Sequence, residues 1–166
     1  MRHLRRQRAL ARGFTLIELM VGLAIGAMLL MVGAPFFGDY INNSRLRESG
    51  NTLFAETLFA QSEAIKRNAT MRVVVTGSKV ETRNMLAGGA GELVREVSFA
   101  EPVAALANAS FDIGSDGRPA PFGTAVAVNL GISGLSCSGA NVRCPGLRVD
   151  AGGAVRLCGN YLSGCT

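Results

Sequence analysis

The chain has 166 residues, 48% of them apolar, with four cysteines, one histidine and no tryptophan, a length that leaves room for one domain beyond an anchor. Its formal net charge of +5 is concentrated at the N-terminus, where Arg2, Arg5, Arg6, Arg8 and Arg12 stand with no acid among them. Behind them, 12 of the 17 basic residues remain against 12 acidic ones, which excludes nucleic-acid binding by bulk charge.

The first element is an apolar run from Phe14 to Phe37 that contains a single charge, Glu18. As a helix it rises about 36 Å, enough to cross a hydrocarbon core of about 30 Å. The basic cluster in front of it holds the N-terminus in the cytoplasm under the positive-inside rule and sends the rest of the chain to the periplasm or the exterior. A lone carboxylate at a bilayer centre costs roughly 2.5 to 3.5 kcal/mol. Glu18 therefore needs a partner, and no residue from Leu19 to Phe37 can supply one.

Gly13-Phe14-Thr15-Leu16-Ile17-Glu18-Leu19 resembles the class III leader site of type IV pilins and type II secretion pseudopilins. The resemblance implies cleavage between Gly13 and Phe14 by a prepilin peptidase and N-methylation of the new terminal Phe14. It also implies pairing of Glu18 with the Phe14 amine of a neighbouring subunit in a filament core, the kind of partner that a buried charge requires. A secretory cleavage at Val32-Gly33-Ala34 is the competing reading, but it would leave Pro35 after the cut and Glu18 inside the apolar region. The pair Arg5-Arg6 follows from the arginine-rich composition alone and carries no export signal of its own.

Pro35 and Gly38 interrupt the helical pattern, which predicts a kink or a short melted stretch there. From Asp39 to Arg67 the pattern resumes, with Leu46, Leu53, Phe54, Thr57, Leu58, Ala64 and Ile65 as an apolar stripe. Arg47, Glu48, Asn51, Glu63, Lys66 and Arg67 form the polar face, on which Glu63 and Arg67 stand four apart in the favourable order.

Met71 to Thr76 and Lys79 to Asn84 read as a hairpin around Gly77-Ser78. Gly88-Gly89-Ala90-Gly91 reads as a loop. Further strand candidates are Leu93 to Phe99, Ser110 to Ile113, Thr124 to Leu130, Leu147 to Asp150 and Ala154 to Cys158, the last two joined by Gly152-Gly153. A helix followed by many short strands fits an α+β domain in which an antiparallel sheet packs on the helix.

Three further segments sharpen the resemblance: Gln61-Ser62-Glu63-Ala64-Ile65-Lys66-Arg67, then Phe111-Asp112-Ile113-Gly114-Ser115-Asp116-Gly117-Arg118-Pro119, then a closing strand with arginine and cysteine. Together they are similar to the GspH/FimT family of minor pilins and pseudopilins. The resemblance implies a pilin-like α+β fold with a cleaved leader at 1–13, a transmembrane and filament-core helix at 14–38, an amphipathic continuation at 39–68 and a periplasmic β-rich head at 69–166. It implies a single-pass protein of the bacterial inner membrane, with other pilins or pseudopilins, a prepilin peptidase and an inner-membrane assembly platform as partners. The function implied is a minor pilin or pseudopilin subunit, in type II secretion or in type IV pilus biogenesis.

Cys137, Cys144, Cys158 and Cys165 all lie near the C-terminus, on the side expected to be oxidising. Four cysteines allow three pairings, and the equal spacings favour Cys137 with Cys144 and Cys158 with Cys165. Each bond would contribute roughly 2.5 kcal/mol in the chain-entropy picture. Zinc would want closer cysteine pairs or histidines, and neither pattern occurs.

Nothing argues for catalysis. The only histidine, His3, precedes Gly13, so no Ser-His or Cys-His pair lies behind the leader. Asp112-x-Gly114-x-Asp116-Gly117 suggests a calcium loop only faintly, because Gly123 stands where a bidentate acid is required; a turn between strands is the expectation. No cofactor or metal is called for.

DNA capture is the alternative function. Some FimT-side relatives bind DNA through a basic C-terminal region with a Gly-Arg-x-Arg motif, and here the matching stretch reads Gly153-Ala154-Val155-Arg156. Arg143, Arg148 and Arg156 are the candidate phosphate contacts, of the salt-sensitive, sequence-independent kind. Tyr161 and Phe122 are the few aromatic side chains nearby for base stacking.

Overall fold

The structure, a computed structural model, describes residues 13–138, 141–163 and 165. The arginine cluster and His3 lie outside the described residues. Among the described residues one helix, α1 (Leu16–Arg67), is followed by nine strands, and the chain divides into two compact units after Gly38.

In the first unit the described residues are the start of α1 and what precedes it. Leu16–Gly33 is long and apolar enough to cross a membrane. Among the described residues its large side chains are exposed: Leu16 is 76% exposed and Met31 80%. No melted stretch interrupts the helix at Pro35 and Gly38, which both lie within α1. Proline removes one hydrogen-bond donor, and turns already formed on either side sustain the helix across that gap.

The second unit begins at Asp39. Along this part of α1, Leu46, Leu53, Ala60 and Ala64 recur at helical spacing and are all fully buried. Leu58 and Ile65, expected on the same stripe, are instead 42% and 59% exposed, and Glu63 of the expected polar face is buried beside Arg67, 2.6 Å away. Lys66 and Arg67 close the helix where cations complement the dipole. Asn68 then takes φ 48°, while Asn68 N donates to Ile65 O at 3.3 Å and Ala69 N to Ala64 O at 3.1 Å. This is a left-handed cap of the Schellman type.

The strands are β1 (Met71–Thr76), β2 (Lys79–Asn84), β3 (Glu92–Ser98), β4 (Val103–Ala105), β5 (Ala109–Ile113), β6 (Pro119–Ala120), β7 (Val126–Ile132), β8 (Gly146–Val149) and β9 (Val155–Cys158). They form two antiparallel sheets, ordered β3-β2-β1-β5-β6 and β4-β7-β8-β9. The hairpin read around Gly77 pairs Thr76 with Lys79, and Gly77 has the positive φ (55°) that such a turn requires. The Gly152-Gly153 hairpin pairs Val149 with Val155. Strands β4 and β6 were not anticipated, because three and two residues are too short to show alternation.

Alternation in β1 places Met71, Val73 and Val75 inward. They join Ile113 of β5 and the helix stripe in one core, which also holds Val128, Leu130, Leu147 and Val149 of the second sheet. Gln61 ties the layers together. Its amide donates to Gly117 O in the β5–β6 turn at 2.9 Å and to Gly153 O in the β8–β9 turn at 2.7 Å. The two turns approach so closely that a Cβ on Gly153 would sit 2.9 Å from Gly117 O, so glycine is required there on steric grounds as well as by its φ of 90°.

Candidate functional site

Gly13 and Phe14 precede the first turn of α1. Among the described residues no atom outside the chain neighbours lies within 4 Å of where a Gly13 Cβ would be, and the Phe14 side chain is 86% exposed. Thr15 and Glu18 form a reciprocal pair: Glu18 N donates to Thr15 Oγ1 at 3.3 Å, and Thr15 N donates to Glu18 Oε2 at 3.4 Å. These bonds are long, but the arrangement is that of a capping box, in which Thr and Glu three apart each satisfy a free backbone donor. Thr15-x-x-Glu18 carried that signal in the sequence, and the reading of Glu18 as an assembly residue missed it.

The cap leaves the charge of Glu18 without a cation. Among the described residues no Lys or Arg lies within ion-pair distance of it, and its side chain is exposed. A carboxylate on the first turn also sits favourably in the helix dipole. A carboxylate so placed can accept a hydrogen bond or a cation from outside the chain.

In the head, Cys137 bonds to Cys144 and Cys158 to Cys165, with Cα separations of 5.5 and 5.3 Å, the pairings that spacing favoured. The candidate DNA contacts are not brought together as a free basic patch. Arg148 and Arg156 are cross-strand partners, but Arg148 Nη1 donates to Asn129 Oδ1 and Leu147 O, both at 2.8 Å. Arg156 lies 3.7 Å from Asp150. Arg143, on the loop before β8, is exposed and has no ion pair among the described residues. The supposed calcium loop is a turn: Gly114 N donates to Arg118 O at 2.8 Å, and Asp112 is held by Arg72 through bonds of 2.6 and 2.7 Å.

One buried charge went unread. Glu56 is 3% exposed, and its Oε1 lies 3.0 Å from Arg95 of β3, whose guanidinium stacks over Phe59 at 5.0 Å. Burial raises the Glu56 carboxyl above its ordinary range, partly opposed by Arg95. Its second oxygen and the Thr82 hydroxyl are buried with no hydrogen-bond partner. The available signal was position, since Glu56 falls three residues after Leu53 and four before Ala60, on the face that both bury.

Residues 8–34 match the sequence family described as the prokaryotic N-terminal methylation motif. In fold, the chain is similar to the type IV minor pilin FimU of Pseudomonas aeruginosa, with a TM-score of 0.57 and 16% identity over 72% of this chain and 92% of that one. It is also similar to the minor pseudopilin EpsH of the type 2 secretion system of Vibrio cholerae, with a TM-score of 0.52 and 12% identity over 69% and 96% of the two chains. No curated protein sequence matches significantly. The α+β architecture expected from the resemblance is the one observed, a long N-terminal helix followed by antiparallel sheets, and the similarity in fold to both neighbours agrees with it.

Proposed function

We propose that this chain, type IV pilin-like in its N-terminal motif and its fold, is a minor pilin or pseudopilin subunit that acts by assembly into a filament. The observation that carries the reading is the N-terminal methylation motif over residues 8–34 at the head of a pilin-like fold. A prepilin peptidase cuts between Gly13 and Phe14, and the freed amine of Phe14 is methylated. In the inner membrane the apolar helix holds the subunit with its leader cytoplasmic and its head periplasmic. During assembly Glu18 pairs with the amine of a neighbouring Phe14, and the desolvated charge that is costly alone becomes one that selects register. The disulfide-closed head meets the other subunits and the platform. Type II secretion and type IV pilus biogenesis both fit this mechanism.

Mass spectrometry of the protein purified from a host with a prepilin peptidase tests the processing step. The expected mature chain begins at N-methylated Phe14. A chain beginning at Pro35, or one retaining the leader, would contradict it.

A further inference from the structure

A groove of about 760 Å³, lined by both polar and apolar side chains, runs along the second unit. Tyr40, Ser44, Arg47 and Asn51 line it from α1, and at these spacings they share one helix face. Arg143 and Leu157 line it from the head.

The groove is held in shape. Asn43 Nδ2 donates to Asn141 O at 2.6 Å, and Asn43 Oδ1 accepts from Arg143 N at 2.8 Å, which fastens the Arg143 loop to the helix. The next residue, Cys144, is anchored by its disulfide to Cys137. At Gly50 a Cβ would lie 2.9 Å from Pro145 Cβ, so the glycine lets this wall seat against α1.

Its chemistry is unbalanced. Arg47 and Arg143 are both exposed, and neither makes an ion pair among the described residues. Glu48 borders the adjoining surface with Arg47 but is not within ion-pair distance of it. Hydrogen-bond donors therefore line a groove that also offers apolar contact at Leu157 and Pro145. That combination suits carboxylates carried on a peptide. A phosphate backbone would want a continuous row of cations, and Arg148 and Arg156 are engaged within the head.

We propose that this groove docks an acidic, extended segment of another pilin-like subunit, whose carboxylates are met by Arg47 and Arg143. The proposal rests on the filament-subunit reading above and deepens it by naming the surface and the chemistry of the neighbour.

The test uses the full chain in native membranes, with p-benzoylphenylalanine replacing Ser44 and cross-linked peptides identified by mass spectrometry. The expected product joins this chain to an acid-bearing segment of a pilin-like protein. The double variant Arg47→Glu, Arg143→Glu should lower its yield about tenfold, the ratio expected when both solvent-exposed charge contacts are lost. Arg47→Lys with Arg143→Lys should retain it, and replacing the mapped acid by arginine should restore the product with the Glu variant. Retained disulfides and an unchanged Tm establish that each variant is folded; if the Glu variant is not, Arg47→Gln with Arg143→Gln takes its place. An undiminished yield, a product with phospholipid, nucleic acid or a segment lacking acids, or no product at all overturns the proposal. If the parent chain is processed to Phe14 and only the cross-link fails, docking alone is wrong; if processing itself fails, the subunit reading falls first.

Discussion

Glu56 is a charge on a face that buries everything else, and its neighbours set how the head responds to pH. Because burial places its folded pKa above 4.5, the folded state holds this proton more tightly than the unfolded state. Its contribution is most favourable in acid and is lost as pH rises through the raised value. Glu63 acts in the opposite sense. The hydrogen bond from Arg67 lowers its pKa, so its stabilisation is present above the ordinary carboxylate value and lost as pH falls through the lowered one. Comparing the parent with Glu56→Gln cancels the Glu63 effect and replaces the titrating carboxyl by a neutral amide of the same shape. Thermal unfolding of the full chain in detergent should show the parent losing stability relative to Glu56→Gln as pH rises from about 4 to about 7. Parallel profiles would mean that the Arg95 contact fully offsets burial.

At the scale of elements, the two sheets are joined to the helix by one side chain as well as by the core. Gln61 donates to a turn from each sheet, and removing it strands two carbonyls in a partly buried place. Gln61→Ala should therefore cost about 1 to 3 kcal/mol in denaturant unfolding. Gln61→Glu should cost more, because a carboxylate of the same shape would face two carbonyl oxygens with no proton to give. A neutral Gln61→Ala would show that water replaces the amide and that the core alone sets the layer contact. The segments containing Gln61 and Gly117 were readable in the sequence as family marks, but their contact with each other and with Gly153 was not, since 56 and 92 residues separate the partners. What was legible was local: the helix from its apolar spacing, the hairpins from Gly77 and Gly152-Gly153, the disulfides from two equal intervals. What was missed depended on tertiary context. The burial of Glu56 needed Arg95 of β3 in place, and the pairing of β4 with β7 needed a partner strand more than twenty residues away.

For the whole molecule, the division after Gly38 separates an apolar helical segment whose described side chains are exposed from a head that closes its own core. The exposed apolar helix requires lipid or other subunits, and the head does not. Glu18 caps α1 through Thr15, and in the role proposed above it would also offer its charge to a neighbour's terminus. The two separate cleanly in Glu18→Gln, because glutamine at that position can still complete a capping box but brings no charge. The most direct measurement is therefore the amount of Glu18→Gln protein recovered in sheared filaments, relative to the processed amount in the membrane. We expect normal processing to Phe14 and near-complete loss from the filament; incorporation at the parent level would contradict charge pairing as the basis of assembly.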